Sequence, residues 1–178
     1  DNAHTDGISI EGPASDIAVS HNKIYSISGQ LLKVGAQGGS ATDIRIYGNL
    51  FYQPNAEGYL VYFETGKILF YNNTIDAHTA NPYYYARGNR ILTNTTPPEI
   101  YMFNNVISGG ICQAGIIISD YNVWGSSPSA GYNAGSNTII VGNATEVPFT
   151  NLFMNRDGRN YQLAETSVAK QMGISRTA

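Results

Sequence analysis

Apolar and polar residues alternate with a period of two in short stretches of this chain, and the alternation recurs on one template. Four segments carry it: Asp16 to Asn22, Asp43 to Asn49, Lys67 to Asn73 and Glu99 to Asn105. In each, a charged residue precedes an Ile, a second apolar residue follows two places on, and Asn stands six places after the charge. Two residues past each Asn comes another apolar residue: Ile24, Phe51, Ile75 and Ile107. A period of two is that of a strand with one buried face. The predicted inward residues are Ile17 and Val19, Ile44 and Ile46, Ile68 and Phe70, and Ile100 and Met102. A second strand per repeat is predicted at Ile8 to Ile10, Leu32 to Val34, Val61 to Phe63 and Ile116 to Ile118. Helical spacing is hardly found before the C-terminal end.

The four Asn residues are 27, 24 and 32 positions apart. A repeat of that length cannot bury its own apolar face and must stack on its neighbours. Stacking at about 4.8 Å per coil would bring Asn22, Asn49, Asn73 and Asn105 into one file. There each amide could pass hydrogen bonds to the next and take the αL-like bend where a strand turns. A sandwich or propeller needs hairpins with Asn-Gly or Asp-Gly turns, and none stands between the repeat strands.

Composition narrows the function classes. The 178 residues are 42% hydrophobic and only 13% charged, about half the usual charged share. A net charge of -3 gives no electrostatic reason to expect nucleic acid or an anionic membrane as partner. Cys112 is the single cysteine, so neither an internal disulfide nor a Cys-based zinc site can form, and a buried inert thiol is expected. No stretch approaches the roughly 18 apolar residues that span a bilayer. His21 and His78 lack the partner spacing of metal ligands, so neither metal nor cofactor is expected. The opening at Asp1, without initiator Met or signal peptide, suggests a processed form or a piece of something longer.

The repeat resembles that of the right-handed parallel β-helix proteins of the pectate-lyase-like superfamily, over roughly residues 6–124. His4 to Ile8 is similar to the His-Thr-Asp-Gly-Ile opening of a coil in many secreted members, and Asp120 to Trp124 to a segment found where such helices end. Leu152-Phe153, Asp157, Tyr161 to Leu163 and Ser167 to Gly173 resemble the family's closing strand and short final helix. The expected fold is therefore all-β: a right-handed parallel β-helix (β-solenoid) of about five to six coils over residues 1–124. A C-terminal loop, closing strand and short helix over 125–178 would pack on it. The resemblance implies an extracellular or cell-surface protein whose partner is a polysaccharide or other glycan. Asp6 resembles part of the Asn-Thr-Asp motif of polygalacturonase-like hydrolases, but the adjacent Asp pair and the Gly-His-Gly segment are missing. The clustered Asp ligands of calcium-dependent lyases are missing too.

Candidate chemistry falls in two places. Asp6, Glu11 and Lys33 are the candidate catalytic residues, as a carboxylate pair for acid–base cleavage or a lysine base for uronate elimination. The competing reading of Asp6 is a turn residue capping backbone. A lysine base needs a lowered pKa. Tyr62 and Glu64 would extend this face, with Tyr83, Tyr84 and Arg87 from the longest loop stacking on sugar and holding a carboxylate. On the repeat strands, Tyr47, Tyr71 and Phe103 form an outward aromatic file beside Arg45, Leu69 and Tyr101, a patch that the chain's own tail is expected to cover. The leading expectation is a carbohydrate-interacting β-helix, an enzyme only as a polysaccharide lyase or glycoside hydrolase. The alternatives are a structural solenoid that self-assembles by end-to-end stacking into a homo-oligomer, fibre, tailspike or adhesin stalk, and a fragment of a larger enzyme.

Overall fold

In the computed structural model the described residues are 6–27, 29–35, 39, 41–53, 60–77, 89–91, 98–108, 116–125, 135–141 and 151–172. They form an all-β structure whose sheets are mostly parallel. In chain order the strands begin with β1 (Ile8–Ile10), β2 (Ala14–Ser15), β3 (Ala18–Ser20) and β4 (Lys23–Tyr25). There follow β5 (Leu32–Val34), β6 (Ala41–Thr42), β7 (Ile44–Tyr47) and β8 (Leu50–Gln53). Next come β9 (Val61–Phe63), β10 (Lys67–Tyr71), β11 (Thr74–Ala77), β12 (Asn89–Ile91), β13 (Glu99–Phe103) and β14 (Val106–Ile107). The later elements are β15 (Ile116–Asp120), β16 (Val123–Trp124), β17 (Ile139–Ile140), β18 (Phe153–Asn155), β19 (Asn160–Leu163) and the helix α1 (Val168–Met172).

Three parallel sheets take these strands in turn. The first runs β1-β5-β9-β12, the second β3-β7-β10-β13-β15, and the third β4-β8-β11-β14-β16-β17. β2 and β6 make a short parallel pair, and β18 and β19 an antiparallel hairpin with Asp157 and Gly158 in its turn. Ile116 to Ile118 therefore belongs to the second sheet, opposite Glu99, Ile100 and Tyr101, and not to the first sheet where its apolar run had suggested placing it. The fourth strand of the first sheet is Asn89–Ile91 instead. The third sheet extends past residue 124 through β17.

The template register accounts for the core. Ile44 lies opposite Ile68, which lies opposite Ile100, and Ile46 aligns with Phe70 and Met102 in the same way. All of these are buried, as are Phe51, Ile75, Ile107 and Trp124 from the third sheet and Leu32, Val34, Val61 and Phe63 from the first. Each such side chain contributes about 1.5–3 kcal/mol of burial.

The Asn residues line the bend between the second and third sheets. Asn49 Oδ1 accepts from both the backbone N–H and the side-chain amide of Asn22, at 3.0 and 3.1 Å. Asn73 Oδ1 receives the same pair from Asn49, and Asn105 Oδ1 the same pair from Asn73. The file has a fifth member: Asn122 Oδ1 accepts both N–H groups of Asn105 at 2.9 Å. Four of the five amides also reach the other way, Asn49 Nδ2 donating to Val19 O, Asn73 Nδ2 to Ile46 O, Asn105 Nδ2 to Phe70 O and Asn122 Nδ2 to Met102 O.

The αL bend expected of these Asn residues is made by the residue before each of them. His21, Gly48, Asn72, Asn104 and Tyr121 have φ of 57°, 67°, 56°, 56° and 55°. The reason is geometric: the bend turns the chain one residue early, so that the following Asn points inward along the stack. Left-handed backbone is open to Gly and tolerated by Asn. Three of the five positions carry those residues.

Candidate functional site

Lys33 lies between Ser9 and Tyr62 in the register of the first sheet. Its ammonium donates to Glu11 Oε1 at 2.9 Å, and the same oxygen accepts the Ser9 hydroxyl. The hydrogen bond to Glu11, with the charges of Glu64 and Asp6 adding to it, raises the Lys33 pKa, and the same bond lowers that of Glu11. A proton-abstracting lysine needs the opposite shift. Among the described side chains, the Glu11, Glu64 and Asp6 carboxylates all bear on this one ammonium. Asp6 Oδ1 accepts the backbone N–H of Gln30 at 3.1 Å, so its carboxylate caps the neighbouring chain.

Tyr62 is 8% exposed, so it does not offer the open ring face expected of a sugar platform. In register it stands between Lys33 and Arg90. Glu64 is half-buried, and its Oε2 sits 2.6 Å from where a Cβ on Gly35 would stand. A side chain at position 35 would have to displace the Glu64 carboxylate. Tyr83, Tyr84 and Arg87 lie outside the described residues.

The outer face of the second sheet is more open. Tyr47 and Tyr71 stack with ring centroids 5.0 Å apart and an interplanar angle of 9°, and His21 meets Tyr47 edge-on at 5.5 Å. Beside them, in register, run Arg45, Leu69, Tyr101 and Ile118. Leu69, Tyr71, Tyr101 and Phe103 are partly exposed, and Ile118 is 47% exposed. The expected cover by the tail is absent among the described residues, because the β18–β19 hairpin docks on the third sheet. There Tyr161 packs on Tyr52 at 5.7 Å, and Arg156 holds Asp76.

A groove of about 400 Å³ opens on the second sheet, lined by Asp16, Asp43, Arg45, Lys67, Leu69 and Tyr101. Asp16 and Asp43 take φ of 54° and 53°, which turns the chain into the strand at the groove's rim. Arg45 donates to Asp16 Oδ1 at 2.5 Å. The Lys67 ammonium lies 5.8 Å from the centre of the Tyr101 ring. The Tyr101 hydroxyl donates to Glu99, a bond that raises its pKa. Among its described lining residues two carboxylates stand against two cations.

The third sheet carries a buried ionic group that no local sequence signal announced. Asp76 is fully buried, and Arg156 grips it in a fork, Nε to Oδ2 at 2.8 Å and Nη2 to Oδ1 at 2.6 Å. The Tyr161 hydroxyl donates to Asp76 Oδ2 at 2.6 Å. Burial, then the Asp76 charge, keeps that phenol protonated far above its ordinary range. With its acceptor sites occupied and no access to solvent, this carboxylate fastens the hairpin. Among the described residues no three His, Cys, Asp or Glu side chains converge as metal ligands would. Comparison with protein-family models, with curated proteins and with solved structures finds no match for the chain.

Proposed function

We propose that the chain is a right-handed parallel β-helix, similar in plan to the pectate-lyase-like superfamily, and that it binds an extended glycan along the outer face of its second sheet. The observation that carries this reading is the groove of mixed charge beside the partly exposed stripe of Leu69, Tyr101 and Ile118. Sugar rings present apolar C–H faces and polar edges. The stripe suits the faces, while Asp43, Arg45 and Lys67 suit the hydroxyls. Because the described lining residues carry no excess cation, a neutral glycan is the one proposed. Such a partner places the protein outside the cell or on its surface. No catalytic step is assigned to Asp6, Glu11 or Lys33, whose groups are engaged with one another or with backbone.

Affinity electrophoresis against neutral and acidic polysaccharides tests the reading, with the incubation also read for new reducing ends and unsaturated uronate. Retention by a neutral glycan, weakened about tenfold by Tyr101→Ala, is expected. No retention by either class ends the proposal.

A second reading, end-to-end stacking of copies, is favoured by one separate observation. β1, β3 and β4 are outermost in their sheets. On that side Asn22 Oδ1 accepts no hydrogen bond among the described residues, whereas the Oδ1 atoms of Asn49, Asn73, Asn105 and Asn122 each accept two. Sedimentation at rising concentration decides it, a constant monomer mass ruling it out.

A further inference from the structure

We infer that the cleft between the third sheet and the β18–β19 turn is an anion site, in which Arg159 and Lys23 take a phosphate or sulfate group. The cleft has a volume of about 450 Å³, and its lining includes His21, Lys23, Thr74, Arg159, Asn160 and Gln162. No Asp or Glu is found among its described lining residues. The chain has 13 acidic and 10 basic residues, so two cations facing a cleft without a carboxylate go against the overall charge balance.

Arg159 is held for such a role. Its guanidinium carbon lies 5.8 Å from the centre of the Tyr25 ring and 5.7 Å from that of Tyr52. It forms no side-chain hydrogen bond and no ion pair among the described residues, so its contacts are with ring faces and its N–H fork is left for a ligand. That fork matches the oxygens of a phosphate or sulfate group.

The hairpin turn sets the position of Arg159. Arg159 has φ of 61°, in a turn closed by its own N–H to Arg156 O at 2.9 Å and by Gly158 N–H to Asn155 Oδ1 at 2.9 Å. Glycine would fit that position without strain. An αL residue of this kind is usual in a short hairpin turn, and here it fixes where the Arg159 side chain leaves the backbone. Lys23, exposed on β4, supplies the second charge, and Thr74, Asn160 and Gln162 supply neutral hydrogen-bonding groups.

The test is a nuclear magnetic resonance titration of the folded protein with inorganic sulfate, with chloride at matched ionic strength as control. Saturable shifts at Arg159 Nε–H and at the Lys23, Thr74 and Asn160 amides are expected with sulfate and not with chloride. Arg159→Gly removes the fork yet suits the αL turn, so it is expected to keep the native spectrum while binding roughly tenfold more weakly. Should that variant unfold, Arg159→Lys keeps the charge without the fork and is expected to bind several-fold more weakly. Repeating the titration with a sugar 6-sulfate and its parent sugar identifies the source: tighter binding of the ester assigns the site to a sulfated glycan, tighter binding of the free ion to inorganic anions. Shifts that stay linear in sulfate, equal shifts with chloride, or variants that bind as the parent does would overturn the inference. The glycan groove lies on another sheet, so the two proposals fail separately.

Discussion

Asn73 shows what one side chain does in this fold. Its Oδ1 accepts two N–H groups from Asn49, and its Nδ2 donates to Ile46 O and to Asn105 Oδ1, all buried. Truncation to Ala takes the acceptor from the Asn49 backbone N–H and the side-chain donor from Ile46 O in the dry interior, where each loss costs about 1–3 kcal/mol, while Asn49 Nδ2 keeps Val19 O and Tyr47 O. Asn73→Ala is thus expected to lose about 3 kcal/mol in urea unfolding. Asn22→Ala, at the exposed end, is expected to lose less than about 1 kcal/mol. Equal losses would mean that the file does not act as argued. Four of the five Asn residues were legible because they share a template, whereas Asn122 was hidden by two substitutions in its segment. Ile116 stands where the others carry a charge, and Ser119 where they carry an apolar core residue. Ser119 is no mismatch: it is buried and its Oγ accepts from Asn122 Nδ2 at 2.8 Å. The αL positions were read one residue late, since sequence periodicity fixes spacing and not dihedral angle.

Among the elements, the C-terminal hairpin depends most on a single contact. Arg156 and Asp76 are 80 positions apart, and no period or motif links them. Removing one partner of a buried pair leaves the other charge without compensation, at a cost of about 3–5 kcal/mol. Arg156→Met is expected to show that loss, and the double change with Asp76→Leu to regain much of it. A double variant no better than the single would exclude this account. Tyr161 adds a dependence on alkaline pH. Its folded pKa is raised, so its contribution is complete below the unfolded value of about 10 and declines as pH climbs past it. Tyr161→Phe should flatten the alkaline fall in the urea midpoint, and an unchanged slope would exclude Tyr161 as its cause. Strand β12 escaped prediction for a simpler reason: Asn89 and Arg90 interrupt the apolar alternation, and only its pairing with β9 identifies it.

At the scale of the whole molecule, three parallel sheets share one core and one file of amides. Trp124 is the single tryptophan and is fully buried at one side of that core. Its fluorescence and the far-ultraviolet circular dichroism are expected to change at the same urea concentration, as one cooperative unit requires. Separate midpoints would show that the stack frays pass by pass. The apolar core was readable because it repeats. The outer faces were not, since their use depends on which charges meet across strands: Lys33 meets Glu11, while Arg45 and Lys67 share a groove. The amide file also has a consequence for engineering. Every side-chain carbonyl in it faces the earlier strands, and at the far end Asn122 N–H meets Thr138 Oγ1 at 3.5 Å in place of another amide. The molecule is thus polar like a one-way zipper: an extra designed repeat grafted ahead of Asn22 meets an acceptor that no described residue occupies, whereas one grafted behind Thr138 meets a stopper.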